Sequence, residues 1–286
     1  MRIIGFIFGL CSVAASCQDY GKLELIADLP SKLHEVSGIE RLPNQESIWA
    51  INDSRNPPEV YRYNLETNKT EQTIRLKGYT NIDWEDLTMD AQGTLYVGDF
   101  GNNFSNREDL TIYHLKNPEQ IDKRRYEPEV TRFQFEDQKK FPPKSKKDRI
   151  YDVESFIVLG DHFYLFTRHR DAAFDGETRV YQVPLTIGDV TAKLIGTFST
   201  CNDEKDCQIT SAAVHVPTGK IALLSHNKVW IFSDYEGNSF LEGSVEKIKL
   251  HHNSQKESIC FKNENELYIA DERSKGKGGN VYLLKL

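Results

Sequence analysis

The chain consists of short apolar runs that alternate with polar turns, and this pattern occurs five times. Each unit starts with two apolar runs that flank turn-forming residues, such as Pro43–Asn44 and Thr218–Gly219. Two short apolar runs joined by a turn predict a β-hairpin. The first strands of the five hairpins begin at Ser37, Glu85, Glu154, Ser211 and Glu257.

Further strands follow each hairpin. A third apolar run, such as Val60–Tyr63, follows all five hairpins, and a fourth, such as Gln72–Leu76, follows four of them. The last unit has three runs, while an unmatched run, Lys22–Ile26, precedes the first unit. We therefore expect Lys22–Ile26 to pair with Val281–Leu284 and close a ring, because closure removes the exposed edge of the sheet.

The repeat predicts an all-β fold, a β-propeller made of four-stranded blades. Five blades are favoured, and six are the alternative if the long interval between Glu85 and Glu154 contains a degenerate unit. We see no amphipathic helical stretch with caps, which argues against an α/β fold. On this interpretation residues 17–286 form a single propeller domain.

Residues 1–16 are typical of an export signal. Arg2 is followed by an apolar run from Ile3 to Ala15, too short to span a bilayer, and then by small residues. The sequence Ala14-Ala15-Ser16-Cys17 resembles a bacterial lipobox, in which the cysteine becomes the first mature residue and carries the lipid. This predicts a lipoprotein of the cell envelope that contacts the membrane only through its anchor at Cys17; the alternative is ordinary cleavage next to a chance cysteine.

The other cysteines fit an oxidising compartment. Cys201 and Cys207 bracket a short polar loop, so we predict a disulfide between them. A zinc site is the weaker alternative, because no second pair of cysteines is nearby. Cys260 lies between Ile259 and Phe261 in a strand pattern, which predicts a buried free thiol.

The charge balance bears on the partners. The chain has 43 acidic and 36 basic residues, a net charge of −7. A nucleic-acid binder needs a clustered basic surface, so nucleic acid is not an expected partner. The densest basic stretch, Lys139–Arg149, is interpreted as a solvated loop.

Three acids occupy equivalent places in the repeat. The first strand of each blade lines the central channel of a propeller, so Glu85, Glu154 and Glu257 are predicted to converge at one mouth of that channel. Carboxylates that share a confined space repel each other unless protons or a cation neutralise them, and hard oxygen ligands select Ca²⁺ or Mg²⁺. We favour Ca²⁺. In the alternative account, each Glu bonds backbone N–H groups and no ion is present.

Four further residues are predicted to bind a ligand: Glu35, Asp99, Asn102 and Arg168. Asp99 and Asn102 belong to a loop of turn-forming residues, Asp99–Asn103, and Arg168 could supply positive charge for an anionic substrate. The alternatives are a tight turn for the loop and an acid partner for Arg168. The sequence contains no nucleophile elbow, metalloprotease motif or phosphate-binding glycine loop.

Several short segments of the chain resemble sequences of a group of secreted bacterial propeller proteins and, more distantly, those of the phytase-like and NHL-type propellers. These segments are Glu35–Ile39, Asn52–Ser54, Asp83–Asp86, Gly98–Asn103 and Asp152–Ser155. The resemblance implies the fold and does not assign a reaction. The first function considered is a ligand-binding or interaction module for a small molecule, glycan or envelope protein; the alternative is a metal-dependent hydrolase of a phosphoester or glycoside. A narrow, filled channel would favour binding, and two close carboxylates facing an open pocket would favour hydrolysis.

Overall fold

The structure is a computed structural model that describes residues 19–43, 45–121 and 125–286. The predicted signal at residues 1–16 and the predicted anchor Cys17 lie outside the described residues. The strands are β1 (Leu23–Asp28), β2 (Val36–Glu40), β3 (Ser47–Asn52), β4 (Glu59–Asn64), β5 (Lys69–Leu76), β6 (Trp84–Met89), β7 (Leu95–Asp99), β8 (Thr111–Leu115), β9 (Arg125–Tyr126), β10 (Glu129–Phe135), β11 (Asp152–Leu159), β12 (His162–Arg168), β13 (Glu177–Pro184), β14 (Gly188–Ser199), β15 (Ser211–His215), β16 (Lys220–Leu224), β17 (Lys228–Ser233), β18 (Ser244–Lys249), β19 (Lys256–Asn263), β20 (Glu266–Asp271) and β21 (Asn280–Lys285).

Helices are short and few in the described ranges. One α-helix, α1, spans Glu204–Cys207, and five single turns of 3₁₀-helix span Ser31–Leu33, Pro118–Gln120, Lys146–Asp148, Asp171–Ala173 and Phe240–Glu242. Within the residues that the structure describes, no helix has the length and apolar character needed to cross a membrane. The prediction of an all-β fold is confirmed.

The described strands form five antiparallel sets of four, and the inner strands β2, β6, β11, β15 and β19 contact one another in a closed cycle. The strand orders are β2-β3-β4-β5, β6-β7-β8-β10, β11-β12-β13-β14, β15-β16-β17-β18 and β19-β20-β21-β1. This arrangement is a β-propeller, as the repeat predicts. The number of blades stays a prediction, and these sets favour five.

The two ends of the chain close the ring. Strand β1 pairs antiparallel with β21, with Leu23 opposite Leu284 and Leu25 opposite Tyr282. Tyr282 and Leu284 are buried in one apolar cluster together with Leu23. The predicted pairing of Lys22–Ile26 with Val281–Leu284 is therefore confirmed.

Two parallel pairings between neighbouring sets were not predicted. Strand β9 pairs with β5, and strand β10 pairs with β14, which joins two sets into one eight-stranded sheet. Arg125 and Tyr126, which lie in the long interval between Glu85 and Glu154, therefore form the short strand β9. Both parallel pairings involve the outermost strand of a set, so they cover edges that would otherwise be open.

The hydrophobic core is divided into five clusters, each packed between two neighbouring sets. The cluster between the first two sets, for example, brings Trp49 and Val60 against Trp84, Val97 and Tyr113. The inner part of each sheet is thus buried on both faces, which explains why second strands such as β3, β7 and β16 are almost wholly buried, whereas the outermost strands β5, β14 and β18 are largely exposed.

The cysteines behave as the sequence predicts. Cys201 and Cys207 form a disulfide with their Cα atoms 5.6 Å apart, and Cys260 is a buried free thiol. The segment between the two bridged cysteines contains α1 rather than being entirely loop, because Asp203 caps this helix by accepting a hydrogen bond from the Lys205 backbone N–H.

Candidate functional site

β-Bulges near the start of the inner strands set the direction of the side chains at those positions. In four of the five inner strands, the pairing with the second strand skips one residue, and the skipped residues are Ser37, Glu85, Glu154 and Glu257. A bulge leaves its extra residue unpaired and redirects the side chain, which is why bulges occur next to functional sites. The fifth inner strand pairs regularly, with Ser211 opposite Leu224.

These bulges surround a polar cavity of about 230 Å³ at one mouth of the central channel. All three predicted acids, Glu85, Glu154 and Glu257, line it. The remaining lining residues are Ser37, Asp53, Ser54, Asp83, Asn103, Arg168, Arg170, Thr210, His226, Gln255 and Glu272. We call this cavity the acidic pocket, because six carboxylates and two guanidinium groups face it.

Asp53, Asp83 and Glu85 form the tightest group of acids in the acidic pocket. Each of the three contributes one carboxylate oxygen, and these oxygens all lie within 4.8 Å of one another. Asp53 follows β3, while Asp83 and Glu85 flank Trp84 at the start of β6. The cluster therefore joins two neighbouring sets of strands. We call these three residues the acidic triad.

Gly101 makes room for the acidic triad. A Cβ atom at this position would lie 2.0 Å from Glu85 Oε1 and 2.5 Å from the Asp83 carboxylate. The Gly101 N–H also donates to the Asp83 backbone carbonyl at 3.1 Å, which fixes the loop against the start of β6. A glycine is required here because the backbone approaches two carboxylates closely.

The three acids of the triad differ in their hydrogen bonds. Among the described residues, no donor forms a hydrogen bond or ion pair with the carboxylate of Asp83 or Glu85, whereas the Asp53 carboxylate accepts a hydrogen bond from the Ser54 backbone N–H. Burial, together with neighbouring acids, raises the pKa of Asp83 to about 7 and the pKa of Glu85 well above its usual range. Burial also raises the pKa of Asp53. Near neutral pH the acidic triad therefore favours a bound proton or a cation.

Glu154 has a different environment from Glu85. Its carboxylate accepts a hydrogen bond from Arg168 Nη1 at 2.8 Å and another from Arg170 Nη2. Burial alone would raise its pKa, but the two guanidinium groups lower the pKa to about 2. Glu154 is therefore ionised and neutralised by protein groups. Arg168, a predicted ligand-binding residue, lines the acidic pocket while it also serves as this acid's partner.

Glu257 and Glu272 line the acidic pocket from the set that contains β19 and β20, which adjoins the set of Asp53. Glu257 Oε1 lies 3.1 Å from His226 Nε2. Glu272 follows β20, and its carboxylate accepts a hydrogen bond from Gln255 Nε2 at 3.0 Å. Burial and then the neighbouring acids Glu257 and Asp53 raise the pKa of Glu272 to about 8. The predicted convergence of Glu85, Glu154 and Glu257 thus corresponds to one cavity, in which Glu154 pairs with two arginines and Glu257 lies beside a histidine, while no donor among the described residues reaches the Glu85 carboxylate.

Asp86 closes the channel one residue deeper than Glu85. It is fully buried, and its carboxylate accepts hydrogen bonds from Ser211 Oγ at 3.1 Å and from the backbone N–H of Ala212 at 3.2 Å and Phe156 at 3.4 Å. These donors lie on β11 and β15, so Asp86 ties three inner strands together. The channel is filled at this depth, and the acidic pocket lies above it as an open cavity.

The other predicted ligand-binding residues lie outside the acidic pocket. Asp99 is buried and accepts hydrogen bonds from Trp84 Nε1 at 3.2 Å and Tyr113 OH at 3.1 Å, and it pairs with Arg107 at 2.9 Å. Asn102 is buried, and its side-chain oxygen accepts hydrogen bonds from the backbone N–H groups of residues 106 and 107. Both side chains hold the loop in place, as the tight-turn alternative proposed.

Glu35 lies near the rim of the site. Its side chain is 44% exposed, and its carboxylate accepts a hydrogen bond from Asn56 Nδ2. Its negative charge contributes to the raised pKa of Asp53 and of Glu272, which places it within electrostatic reach of the acidic pocket.

The pocket residues that the sequence did not single out are Ser54, Thr210, His226 and Gln255. Among neighbouring strand-end residues, Asn103 lines the cavity next to Asn102, and Glu272 lines it next to the buried Asp271. Asp271 accepts hydrogen bonds from the Asn280 N–H and Tyr282 OH, the same structural role that Asp99 has with Tyr113. Adjacent polar residues at strand ends point in different directions, and the sequence contains no signal for which of the two faces the channel.

Comparisons with known proteins show similarity of fold only. No family model matches the sequence, and no curated protein matches it either. Among solved structures, a gluconolactonase from Xanthomonas campestris is 11% identical, with a TM-score of 0.46 over 86% of this chain and 70% of its own. The Swd1 β-propeller domain of Myceliophteria thermophila is 10% identical, with a TM-score of 0.44 over 92% of this chain and 99% of its own. A protein provisionally named a gluconolactonase is 10% identical, with a TM-score of 0.49 over 93% and 92% of the two chains.

Proposed function

We propose that this protein is an exported, lipid-anchored propeller whose acidic pocket binds a divalent cation, Ca²⁺ in preference to Mg²⁺, as part of a ligand-binding site. The acidic triad supplies the protein ligands. The observation that carries the proposal is the meeting of three carboxylate oxygens within 4.8 Å in an open cavity. No partner among the described residues neutralises Asp83 or Glu85.

The donor set suits a hard cation. Carboxylate oxygens are the ligands that Ca²⁺ and Mg²⁺ share, and Ca²⁺ accepts irregular coordination at about 2.3–2.6 Å, whereas Mg²⁺ demands a near-ideal octahedron at about 2.0–2.1 Å. The three carboxylate oxygens all lie within 4.8 Å of one another, close enough for a single ion to contact all of them. The triad comes from two separate strand ends, an arrangement that favours the more tolerant ion.

Export and lipidation are proposed from the sequence of residues 1–17. The disulfide between Cys201 and Cys207 supports an oxidising compartment, since disulfides persist there and are rare where thiols are kept reduced. Outside the cell Ca²⁺ is abundant, so a site of modest affinity would be filled. The remaining partners are a small molecule, a glycan or an envelope protein.

Hydrolysis of a phosphoester or glycoside is the second candidate. The observation that favours it is that the acidic triad faces an open cavity rather than a filled channel. Arg170 and His226, which could contact a substrate, line the same cavity. A metal ion in such a site supplies Lewis acidity and an activated water. The filled layer at Asp86, in contrast, favours binding.

A thermal-shift measurement tests the cation site. Ca²⁺ added to protein stripped with a chelator should raise the melting temperature by about 5 °C or more at a hundredfold excess over Kd, because the ion binds only the folded state. Mg²⁺ should have a smaller effect. Asp83→Asn should abolish the response, while Asp161→Asn, a change at a carboxylate that is 87% exposed, should retain it.

Gly101→Ala provides a variant that leaves every charge unchanged. The added methyl group would displace the Glu85 and Asp83 carboxylates, so we expect loss of the Ca²⁺ response in a folded protein. Circular dichroism confirms folding. The cation site would be refuted if neither Ca²⁺ nor chelator changed the melting temperature of the wild-type protein.

A further inference from the structure

A second cavity adjoins the acidic pocket and has the opposite charge. It has a volume of about 350 Å³ and is lined by Asn103, Phe104, Lys146, Arg149, Asp152, Arg168, Arg170, Glu204 and Gln208. Asn103, Arg168 and Arg170 line both cavities. The two cavities therefore meet at a wall made of two arginines and an asparagine, and we call the second one the basic pocket.

The four cations of the basic pocket differ in their partners. Arg168 and Arg170 are already paired with Glu154, and Arg170 Nε lies 3.2 Å from Asp152 Oδ2. Lys146 and Arg149 come from the turn at the end of the basic stretch. Among the described side chains, no carboxylate lies within ion-pair distance of either. Their positive charges are thus available to an anion that enters the cavity.

Phe104 gives the basic pocket an aromatic wall. Its side chain is 60% exposed, which is unusual for a residue of this size, and the Arg149 guanidinium carbon lies 5.1 Å from its ring centroid. This contact holds the guanidinium beside the ring. A ligand with an anionic group and a ring could pair with Arg149 and pack against the exposed part of Phe104.

We propose that the basic pocket is the anion subsite of the same binding site, and that it takes a ring-bearing molecule with a phosphate or carboxylate group. The inference rests on the proposed function in one respect: a single ligand occupies both pockets, and the polar groups of this ligand reach the cation bound by the acidic triad. Lys146 and Arg149 bind the oxyanion, and Phe104 packs against the ring. The basic stretch, which the sequence presents as a solvated loop, thereby acquires a binding role at its end.

Calorimetric titration tests the subsite with defined probes: phenyl phosphate, benzoate, inorganic phosphate and the uncharged benzyl alcohol. In the presence of chelator, phenyl phosphate or benzoate should bind saturably and more tightly than benzyl alcohol. Whichever of phenyl phosphate and benzoate binds more tightly shows whether the subsite prefers a phosphate or a carboxylate. Arg149→Gln and Lys146→Gln should each weaken that probe about tenfold, the effect of one charge-assisted hydrogen bond. Phe104→Ala should weaken it about fivefold and leave inorganic phosphate unchanged.

Lys144→Gln is the matched control, because Lys144 is an exposed lysine of the same basic stretch that does not line the cavity. It should change the affinity less than about twofold. Absence of saturable binding by both ring probes, or an equal loss in Lys144→Gln and Arg149→Gln, would overturn the subsite.

Ca²⁺ separates this inference from the proposed function. If one ligand fills both pockets, Ca²⁺ should increase the affinity for the tighter ring probe in the wild type and have no effect in Asp83→Asn. Saturable probe binding in a protein that binds no Ca²⁺ would leave the anion subsite standing and refute the cation site. Ca²⁺ binding without any change in probe affinity would refute the shared ligand.

Discussion

At the scale of single residues, equivalent positions of the repeat have taken different electrostatic roles. No donor among the described residues reaches the Glu85 carboxylate, whereas Glu154 is held between two arginines and Glu257 lies beside a histidine. The sequence predicted that these acids share one cavity, because the repeat aligns them. It could not predict their partners, because Arg168 and His226 occupy equivalent places at or just beyond the end of the second strand of their sets but carry different side chains.

The pair formed by Glu154 with Arg168 provides a test at this scale. Glu154→Gln removes the carboxylate that Arg168 and Arg170 share. Asp152 still pairs with Arg170, so Arg168 loses its acid partner, and the Arg168 and Glu154 side chains are 11% and 3% exposed. We expect a loss of about 3 kcal/mol in the free energy of unfolding, measured by urea denaturation, because a buried charge is left uncompensated. Glu129→Gln breaks the exposed pair with Lys116 and should cost much less, because solvent screens that pair. Equal costs for the two variants would contradict the assigned role.

Asp83 should make stability depend on pH in the metal-free protein. Its pKa is about 7 in the folded state against 3.8 in the unfolded chain, so the folded state binds the proton more tightly. The resulting stabilisation is complete below about pH 4 and is lost as the pH rises through about 7. Histidines whose pKa burial lowers, such as His114, act in the opposite direction.

A comparison of variants isolates the contribution of Asp83. In chelator, the free energy of unfolding of Asp83→Asn relative to the wild type should increase as the pH is raised from about 4 to about 7. The histidine contributions cancel in this difference. A constant difference for Asp83→Asn over this range would mean that the Asp83 carboxyl binds its proton equally well in the folded and unfolded states.

At the scale of elements, alternation of apolar runs and turn residues was sufficient to predict the hairpins and the closing strand. It was insufficient for the bulges at Ser37, Glu85, Glu154 and Glu257, because a bulge depends on how two backbones pair rather than on which side chains they carry. The parallel pairings of β9 and β10 escaped prediction for the same reason. The bulges determine the direction of the side chains in the acidic pocket, so the geometry of the site was harder to predict from the sequence than the fold.

Strand β1 allows a matched test of ring closure. Leu23 is 7% exposed and packs with Tyr282 and Leu284, whereas Leu25 on the same strand is 42% exposed. Leu23→Ala should lower the free energy of unfolding by about 2–4 kcal/mol, and Leu25→Ala by less than about 1 kcal/mol. Urea denaturation measures both values, and we expect each variant to unfold in a single transition. A negligible effect of Leu23→Ala would mean that β1 contributes little to the ring.

At the scale of the whole molecule, the acidic pocket exists only because the ring is closed. Its lining residues come from every set of strands, and the five apolar clusters between the sets fix their relative positions. Symmetry therefore brings together residues that are far apart in the sequence. The repeat revealed this convergence before any coordinates, whereas the adjoining basic pocket arises from a turn outside the repeat and gave no such signal.

The anchor at Cys17 concerns the molecule as a whole. Cys17→Ser removes the thiol that would carry the lipid, so we expect the protein to leave the membrane fraction when it is expressed in a bacterial host. Immunoblots of membrane and soluble fractions report the distribution. Cys260→Ser, at the buried free thiol, is the control and should leave the distribution unchanged. A Cys17→Ser protein that stays in the membrane fraction would exclude the lipid anchor.

The most direct test of the central claim is a crystal structure grown with Ca²⁺, with an anomalous-difference map recorded from the same crystal. The account expects one peak among Asp53, Asp83 and Glu85, with at least one oxygen of each residue about 2.3–2.6 Å from the ion. A map from crystals of Asp83→Asn should lack that peak. An acidic pocket without an anomalous peak in the wild type at saturating Ca²⁺ would contradict the account.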